Sequence, residues 1–151
     1  MDKRPSWDEY FVEIAEIVSK RSTCLSRQVG AVITKDNNII STGYNGPAKG
    51  VKHCLEYGGC IRKQKEGYQS GAFLELCPAS HAEQNAIAQA AKHGISVNDS
   101  VVYVTTFPCK DCMNSLINSG VKKIVYVGDY NASLSKEIVK QVAVELVEFK
   151  K

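Results

Sequence analysis

The stretch VVYVTTFPCKDCMNSLINSGVKKIVYVG, Val101–Gly128, decides the fold class, because two β-type segments in it flank one helical segment. Its β-branched run Val101–Thr106 predicts a strand, and KKIVYVG predicts another. Between them, Pro108 predicts the start of a helix and Gly120 lies just past its end. This order of elements predicts two parallel strands joined by a right-handed crossover.

Further helices and strands are predicted on both sides of this stretch. Residues 7–21 predict an amphipathic helix capped by Ser6, and VGAVITKDNNIISTGY predicts a β-hairpin that turns at Asp36, Asn37 and Asn38. After the opening stretch, LSKEIVKQV predicts a short helix and AVELVEF a last strand. The sequence therefore predicts an α/β fold with a five-stranded mixed sheet and helices on both faces.

Residues 45–79 follow neither the helical nor the strand repeat of apolar residues. Residues 45–79 contain several glycines, two prolines and three cysteines, and they show no sustained alternation. A loop of this length inside a compact domain needs something else to order it. We expect residues 1–151 to form one domain with an irregular, cysteine-containing insertion at about 45–79.

Composition and charge narrow the classes of function. A net charge of +3 suits a small anionic ligand but not the dense basic surface that duplex nucleic acid requires. No apolar run reaches the length of a membrane span, and MDKRPSWDEYF has no apolar core of a secretory signal. We expect a cytoplasmic protein, in which six reduced cysteines indicate metal binding or catalysis rather than disulfides.

The chemistry centres on two cysteines and a histidine. Cys109 and Cys112 are spaced to share a face at a helix start, where free backbone N–H groups favour thiolates. His81 opens another helix at the same edge of the predicted sheet, so the three side chains can converge on one zinc ion. Glu83 would then lie beside a zinc-bound water and exchange protons with it. The pattern H-x-E followed by P-C-x-x-C is the known signature of zinc nucleobase deaminases.

Glu83 lies at the start of the helix predicted over residues 81–93, where its carboxylate has two alternative roles. Ser80 and Glu83 have the spacing of a capping box, in which the carboxylate would bond back to the Ser80 backbone. A carboxylate used in this way cannot face a metal-bound water. We expect Ser80 to cap the helix and Glu83 to face the metal.

The remaining cysteines form a second group. They can supply the four thiolates of a closed structural zinc site that would order the irregular segment; they are Cys24, Cys54, Cys60 and Cys77. The alternatives are four buried thiols or two disulfides, and His53 is an alternative ligand to one of the cysteines.

At these residues the sequence resembles the cytidine and deoxycytidylate deaminase superfamily, with the nearer resemblance to the dCMP deaminase branch that includes competence-operon proteins of bacteria. The motifs that carry it lie within residues 24–127 and are RQVGAVI, STGYNGP, HCLE, CPASHAEQNAI and TTFPCKDCMNSLINSGVKKIVY. The resemblance implies a cytidine deaminase-like three-layer α/β/α fold. It also implies zinc-dependent hydrolysis of dCMP to dUMP and ammonia, which supplies dUMP for thymidylate synthesis.

The resemblance also implies roles for single residues. Glu83 would be the catalytic proton carrier, Asn45 would contact the sugar or base, and Tyr130 would lie over the nucleotide. Arg27 is a candidate for the phosphate, and Ala82 is expected to line the substrate site. The alternatives from the residues alone are a turn role for Asn45, packing for Tyr130 and a solvated surface position for Arg27.

The same resemblance implies a homo-oligomer, a hexamer or dimer, and dCTP and dTTP as effectors. Three other functions stay open at this point. They are deamination of another cytosine nucleotide or nucleoside, deamination of tRNA adenosine, and a non-catalytic zinc-binding module. The mild charge and the GYNGP motif disfavour tRNA, and Glu83 disfavours a purely structural zinc site.

Overall fold

A computed structural model describes residues 2–128 and 132–151, which form a five-stranded sheet with helices on both of its faces. The helices are α1 (Trp7–Ser19), α2 (Ala82–Lys92), α3 (Lys110–Asn118) and α4 (Ser133–Lys140). The strands are β1 (Gly30–Lys35), β2 (Asn38–Tyr44), β3 (Val101–Val104), β4 (Lys123–Val127) and β5 (Glu145–Phe149).

The sheet is mixed, as predicted. Its strand order is β2-β1-β3-β4-β5, with β1 antiparallel to both of its neighbours. The later strands β3, β4 and β5 run parallel to one another. The carboxyl ends of β2, β3 and β4 therefore lie at the same edge of the sheet.

Alternate residues of the central strands face two separate cores. On one face Phe11, Val12 and Ala15 of α1 pack on side chains of β1, β3 and β4. On the other face buried residues of α2, α3 and α4 pack on the alternate positions of the same strands. This is the predicted three-layer α/β/α arrangement.

The hairpin turns in two residues rather than the predicted three. Asp36 and Asn37 both have a positive φ, 51° and 60°, while Asn38 already belongs to β2. Two consecutive left-handed residues give the turn whose twist matches that of the strands, and Asp and Asn tolerate this conformation.

The end of α1 and the start of α3 differ from the predicted positions. The N–H groups of Lys20 and Arg21 bond to carbonyls three residues back rather than four, so α1 ends at Ser19 and not at residue 21. Cys109 takes the N-cap position of α3 in an extended conformation, and its carbonyl accepts the first helical bond. The predicted helix start at Pro108 is therefore wrong by two residues.

A close approach of backbone to backbone positions α2 on the sheet. A Cβ atom on Gly43 of β2 would lie 2.3 Å from the carbonyl oxygen of Ala82 and 2.4 Å from the amide nitrogen of Ala86. Only glycine fits this contact, which fixes the first turn of α2 against the end of β2.

Residues 45–79 contain short elements only. Two 3-10 helices, Arg62–Gln64 and Leu74–Leu76, are joined by turns. The segment starts and ends close together, because Gly46 and Ser80 exchange two backbone hydrogen bonds of 2.8 and 3.1 Å. The irregular segment therefore leaves the sheet edge and returns to it beside α2.

Candidate metal and active site

Three predicted ligands meet where the N-termini of α2 and α3 approach each other. His81 and Cys109 are the N-cap residues of these helices, and Cys112 lies in the first turn of α3. The Nδ1 atom of His81 lies 3.3 Å from the Sγ atom of each cysteine, and the three ligand atoms are all within 4.8 Å of one another. One imidazole nitrogen and two thiol sulfurs are the donor set of catalytic zinc sites such as that of alcohol dehydrogenase, so these residues fit zinc.

The cap of α2 differs from the prediction. The His81 N–H donates to the Oε1 atom of Gln84 over 2.9 Å, so the capping box is formed by His81 and Gln84. Ser80 is instead paired with Gly46 through its backbone. The expectation that Ser80 caps the helix is therefore wrong, and Glu83 is not needed for capping.

Glu83 lies beside the three ligands and away from water. Its side chain is buried, with 3% of its surface exposed, in the first turn of α2. Burial raises the pKa of the Glu83 carboxyl, and the negative charge of Cys109 adds to this rise. A hydrogen bond with Cys112 and the charge of His81 act in the opposite direction. A carboxyl with a raised pKa is suited to accept a proton and return it near neutral pH.

The pKa values of the two thiols are shifted in opposite directions. Hydrogen bonds from Cys112 and then from His81 lower the pKa of the Cys109 thiol to about 4, although burial opposes them. The bond with Cys109 and burial raise the pKa of the Cys112 thiol. The pKa of His81 is raised, mainly by its hydrogen bond with Cys109. Of the two thiols, Cys109 is therefore the one that loses its proton more readily.

A cavity of about 450 Å³ opens beside these residues. His81, Glu83 and Cys109 form part of its wall, and the irregular segment contributes Arg62 and Leu74 on another side. This volume lies in the range of small-ligand sites.

The structure brings three of the four predicted substrate contacts to this cavity. Asn45 lines it, but both of its amide atoms are bonded to backbone, with Oδ1 accepting from Val29 and Nδ2 donating to the Arg27 carbonyl over 2.8 Å each. Arg27 also lines the cavity, and its guanidinium donates to the Thr106 hydroxyl. Ala82 is fully buried at the first position of α2 and reaches the same cavity. The fourth contact, Tyr130, lies outside the described residues.

The other cysteines, here called the four-cysteine cluster, are free thiols, and Cys54 is close enough to the other three for their charges to act on it; they are Cys24, Cys54, Cys60 and Cys77. Burial raises the pKa of Cys54, and the charges of the other three thiols raise it further. The sulfurs of the four-cysteine cluster are farther apart than the ligand atoms of His81, Cys109 and Cys112. Those three residues form the only group of three or more potential metal ligands within 4.8 Å of one another in the described part of the chain.

Backbone N–H groups donate hydrogen bonds to three sulfurs of this cluster, those of Cys24, Cys54 and Cys60. The amides of Ser26 and Arg27 donate to the Cys24 sulfur over 3.4 Å each. Burial raises the pKa of Cys60, but hydrogen bonds from the amides of Lys63 and Arg62 and from the Ser26 hydroxyl, together with the charge of Arg62, lower it by more. The alternative ligand His53 has a buried Nδ1 atom with no hydrogen-bond partner among the described residues.

Sequence reasoning missed Gln84 as the cap partner and Arg62 as a cavity residue. Gln84 lies three residues after His81, which is capping-box spacing, but histidine is not among the preferred N-cap residues. The one sequence signal for Arg62 is its position two residues after Cys60.

Across residues 2–128 and 132–151, no helix has the length and apolar character needed to cross a membrane.

The fold and this donor set define an α/β protein with a zinc-type centre at two helix N-termini. The model of the cytidine and deoxycytidylate deaminase zinc-binding region matches residues 5–128, so the chain belongs to this family. The resemblance inferred from the sequence is therefore confirmed.

Named relatives agree with this assignment. The deoxycytidylate deaminase of Schizosaccharomyces pombe is 37% identical over 147 residues, with 97% of this chain and 45% of the yeast protein covered. ComE operon protein 2 of Bacillus subtilis is 36% identical over 150 residues, with 97% of this chain and 74% of that protein covered. The chain thus spans about half the length of the yeast relative.

A solved structure extends the likeness to three dimensions. The dCMP deaminase of cyanophage S-TIM5, in complex with dCMP and dUMP, matches with a TM-score of 0.76 at 29% identity. The match covers 98% of this chain and 100% of the phage chain.

Proposed function

We propose that this protein is a zinc-dependent dCMP deaminase, which hydrolyses the C4 amino group of dCMP to give dUMP and ammonia. The observation that carries the proposal is the convergence of one imidazole and two thiols beside a buried carboxyl in the wall of a cavity. The dCMP and dUMP bound by the phage relative support the choice of substrate. The product would serve thymidylate synthesis.

His81, Cys109 and Cys112 would hold the zinc ion and leave one tetrahedral position open for water. Bound zinc lowers the pKa of such a water toward neutrality, and this is the chemistry that it supplies.

Glu83 carries the protons in this proposal. It accepts one proton from the attacking water and delivers it to N3 of the cytosine ring. It then takes the second proton of that water and passes it to the C4 amino group, which leaves as ammonia. Water and dCMP are consumed, dUMP and ammonia are formed, and Glu83 returns to its starting state. Burial of Glu83 and the raised pKa of its carboxyl support this role.

Four residues are proposed to contact the nucleotide. Asn45 would contact the sugar or base, and Arg27 the phosphate; both line the cavity. Ala82 would offer its backbone N–H, which lies in the first turn of α2, where amides lack acceptors within the helix. Tyr130 is proposed from the family resemblance to lie over the nucleotide.

We propose a second, structural zinc in the four-cysteine cluster. The amides that surround the sulfurs of Cys24 and Cys60 support it, because they stabilise thiolates without blocking a metal. Elemental analysis should give about two zinc ions per chain, and Cys54→Ser should lower this to about one. One zinc ion in the wild type, with four thiols open to titration, would contradict the second site. If the His53→Ala variant loses the second zinc ion, then His53 is a ligand in place of one of the four cysteines.

Assembly, regulation and location are proposed from the family. We propose a cytoplasmic homo-oligomer, a hexamer or dimer, with dCTP and dTTP as effectors. Six free thiols suit a reducing compartment, and large apolar side chains such as Trp7 and Leu74 are more than half exposed on a single chain. Light scattering coupled to gel filtration tests the assembly, and a monomer at micromolar concentration would contradict it.

A panel of four substrates tests the reaction. Ammonia release from dCMP, dCTP, deoxycytidine and a tRNA should be measured in parallel on zinc-loaded protein. We expect dCMP to have the highest kcat/KM. The Cys112→Ser variant, which lacks one zinc ligand, is the matched inactive control. Higher kcat/KM for another member of the panel would reassign the substrate.

A further inference from the structure

The cavity beside the zinc ligands contains three cationic residues, and two of them are already engaged. The Lys110 ammonium lies 3.2 Å from an Asp111 carboxylate oxygen at the exposed rim. The Arg27 guanidinium donates to Thr106. The third cation is Arg62, which the irregular segment brings to the cavity wall.

Arg62 is held in place through one end of its guanidinium. Its Nε atom donates to the Ala72 carbonyl over 2.8 Å, and the guanidinium carbon lies 5.9 Å from the centre of the Tyr68 ring. Its backbone N–H contributes to the hydrogen bonds that lower the pKa of Cys60. The four-cysteine cluster, the Ala72 carbonyl and an aromatic ring thus fix this arginine from three directions.

The two terminal nitrogens of Arg62 are uncommitted. Neither has a hydrogen bond or ion pair with any residue in 2–128 or 132–151. An arginine fixed at Nε and partly shielded from solvent presents its terminal nitrogens as a fork, and this fork matches two oxygens of a phosphate. Little side-chain entropy remains to be lost on binding, because the stem is already ordered.

We propose that Arg62 binds the 5′-phosphate of the nucleotide, alongside Arg27, and makes the cavity selective for a nucleoside monophosphate. This inference rests on the proposed function, since it names the residue that reads the phosphate of the same substrate. It also gives the irregular segment a direct part in substrate recognition.

Two substitutions of Arg62 test the proposal, with a control on the neighbouring residue. Arg62→Gln removes the charge but keeps an amide that can reach the Ala72 carbonyl, and Arg62→Lys keeps the charge but not the fork. Lys63→Gln removes a charge from the same 3-10 helix, at an exposed position outside the cavity wall.

Steady-state kinetics with dCMP and calorimetric titration with dUMP give the readouts. Loss of a charged hydrogen-bond pair corresponds to a roughly 10- to 100-fold weaker interaction. We expect R62Q to raise both KM for dCMP and Kd for dUMP by roughly this factor, with kcat within about threefold of the wild type. R62K should fall between R62Q and the wild type, and K63Q should match the wild type within about twofold.

A fall in kcat at unchanged KM, or an R62Q variant that binds dUMP as the wild type does, would overturn the assignment of Arg62. If R62Q does not fold, R62K decides alone: a KM within twofold of the wild type overturns the assignment. If the wild type does not turn over dCMP, the proposed function fails separately. The dUMP titrations alone then test whether Arg62 binds the phosphate. A wild-type protein that binds no dUMP overturns the assignment of Arg62.

Discussion

Replacing Glu83 with glutamine separates the chemical role of this residue from helix capping. The substitution keeps the length and shape of the side chain and leaves the three proposed zinc ligands in place. Glutamine cannot accept a proton from water or return it to the substrate. One general acid–base catalyst contributes about 10²- to 10⁴-fold to a rate, and Glu83 is proposed to act in both attack and departure. We therefore expect kcat to fall at least about 1000-fold, which corresponds to about 4 kcal/mol.

The assay is the conversion of dCMP to dUMP, followed by absorbance and by ammonia release. Gln84→Ala is the matched control, because it removes the side chain that accepts the His81 N–H. We expect Q84A to lose about 1 kcal/mol of stability but to keep kcat within a few-fold, whereas E83Q keeps its zinc and is no less stable than the wild type. An E83Q variant within tenfold of the wild-type rate, or a Q84A variant as inactive as E83Q, would refute the reasoning.

Three further predictions follow from the packing, the titration and the metal ligands. Gly43→Ala should lower the free energy of unfolding by about 2 kcal/mol, since the new Cβ would lie 2.3 Å from the Ala82 carbonyl oxygen; an unchanged thermal midpoint would contradict this. In zinc-free protein, the raised pKa of Glu83 means that the folded state binds its proton more tightly than the unfolded state, so the contribution of Glu83 to wild-type stability falls as pH rises above the ordinary carboxyl value of 4.5. E83Q lacks this loss, and urea unfolding should therefore show its advantage over the wild type growing from pH 4 to 7; a constant difference would exclude the raised pKa. Cys112→Ser should abolish turnover and leave about one zinc ion per chain, bound by the four-cysteine cluster; a variant with both zinc ions would show that Cys112 is not a ligand.

The sequence predicts the centre of the site well because that centre is built at helix starts. The spacing of Cys109 and Cys112 places both on one side of the first turn of α3, and the order of strands brings His81 to the same edge. Those two facts need only local periodicity and the rule that parallel strands end at one edge. The sheet order and the three layers follow from the same patterns.

The features that the sequence does not predict depend on contacts made at a distance. Capping statistics favour Ser80, but its backbone is paired with Gly46 across the base of the irregular segment, so the helix begins one residue later. Arg62 is not predicted because residues 45–79 have no period that would show which side chains face the cavity. The spacing of the four-cysteine cluster likewise depends on turns and not on any repeating element.

The most direct test of the central claim is a quantitative turnover experiment on metal-defined protein. Zinc-free protein, the same protein reloaded with one and two equivalents of zinc, and E83Q reloaded in the same way are each incubated with dCMP. We predict that dUMP and ammonia form in a one-to-one ratio only in the reloaded wild type, and that turnover returns on adding zinc. Equal turnover without zinc, or no dUMP from the fully reloaded wild type, would contradict the account.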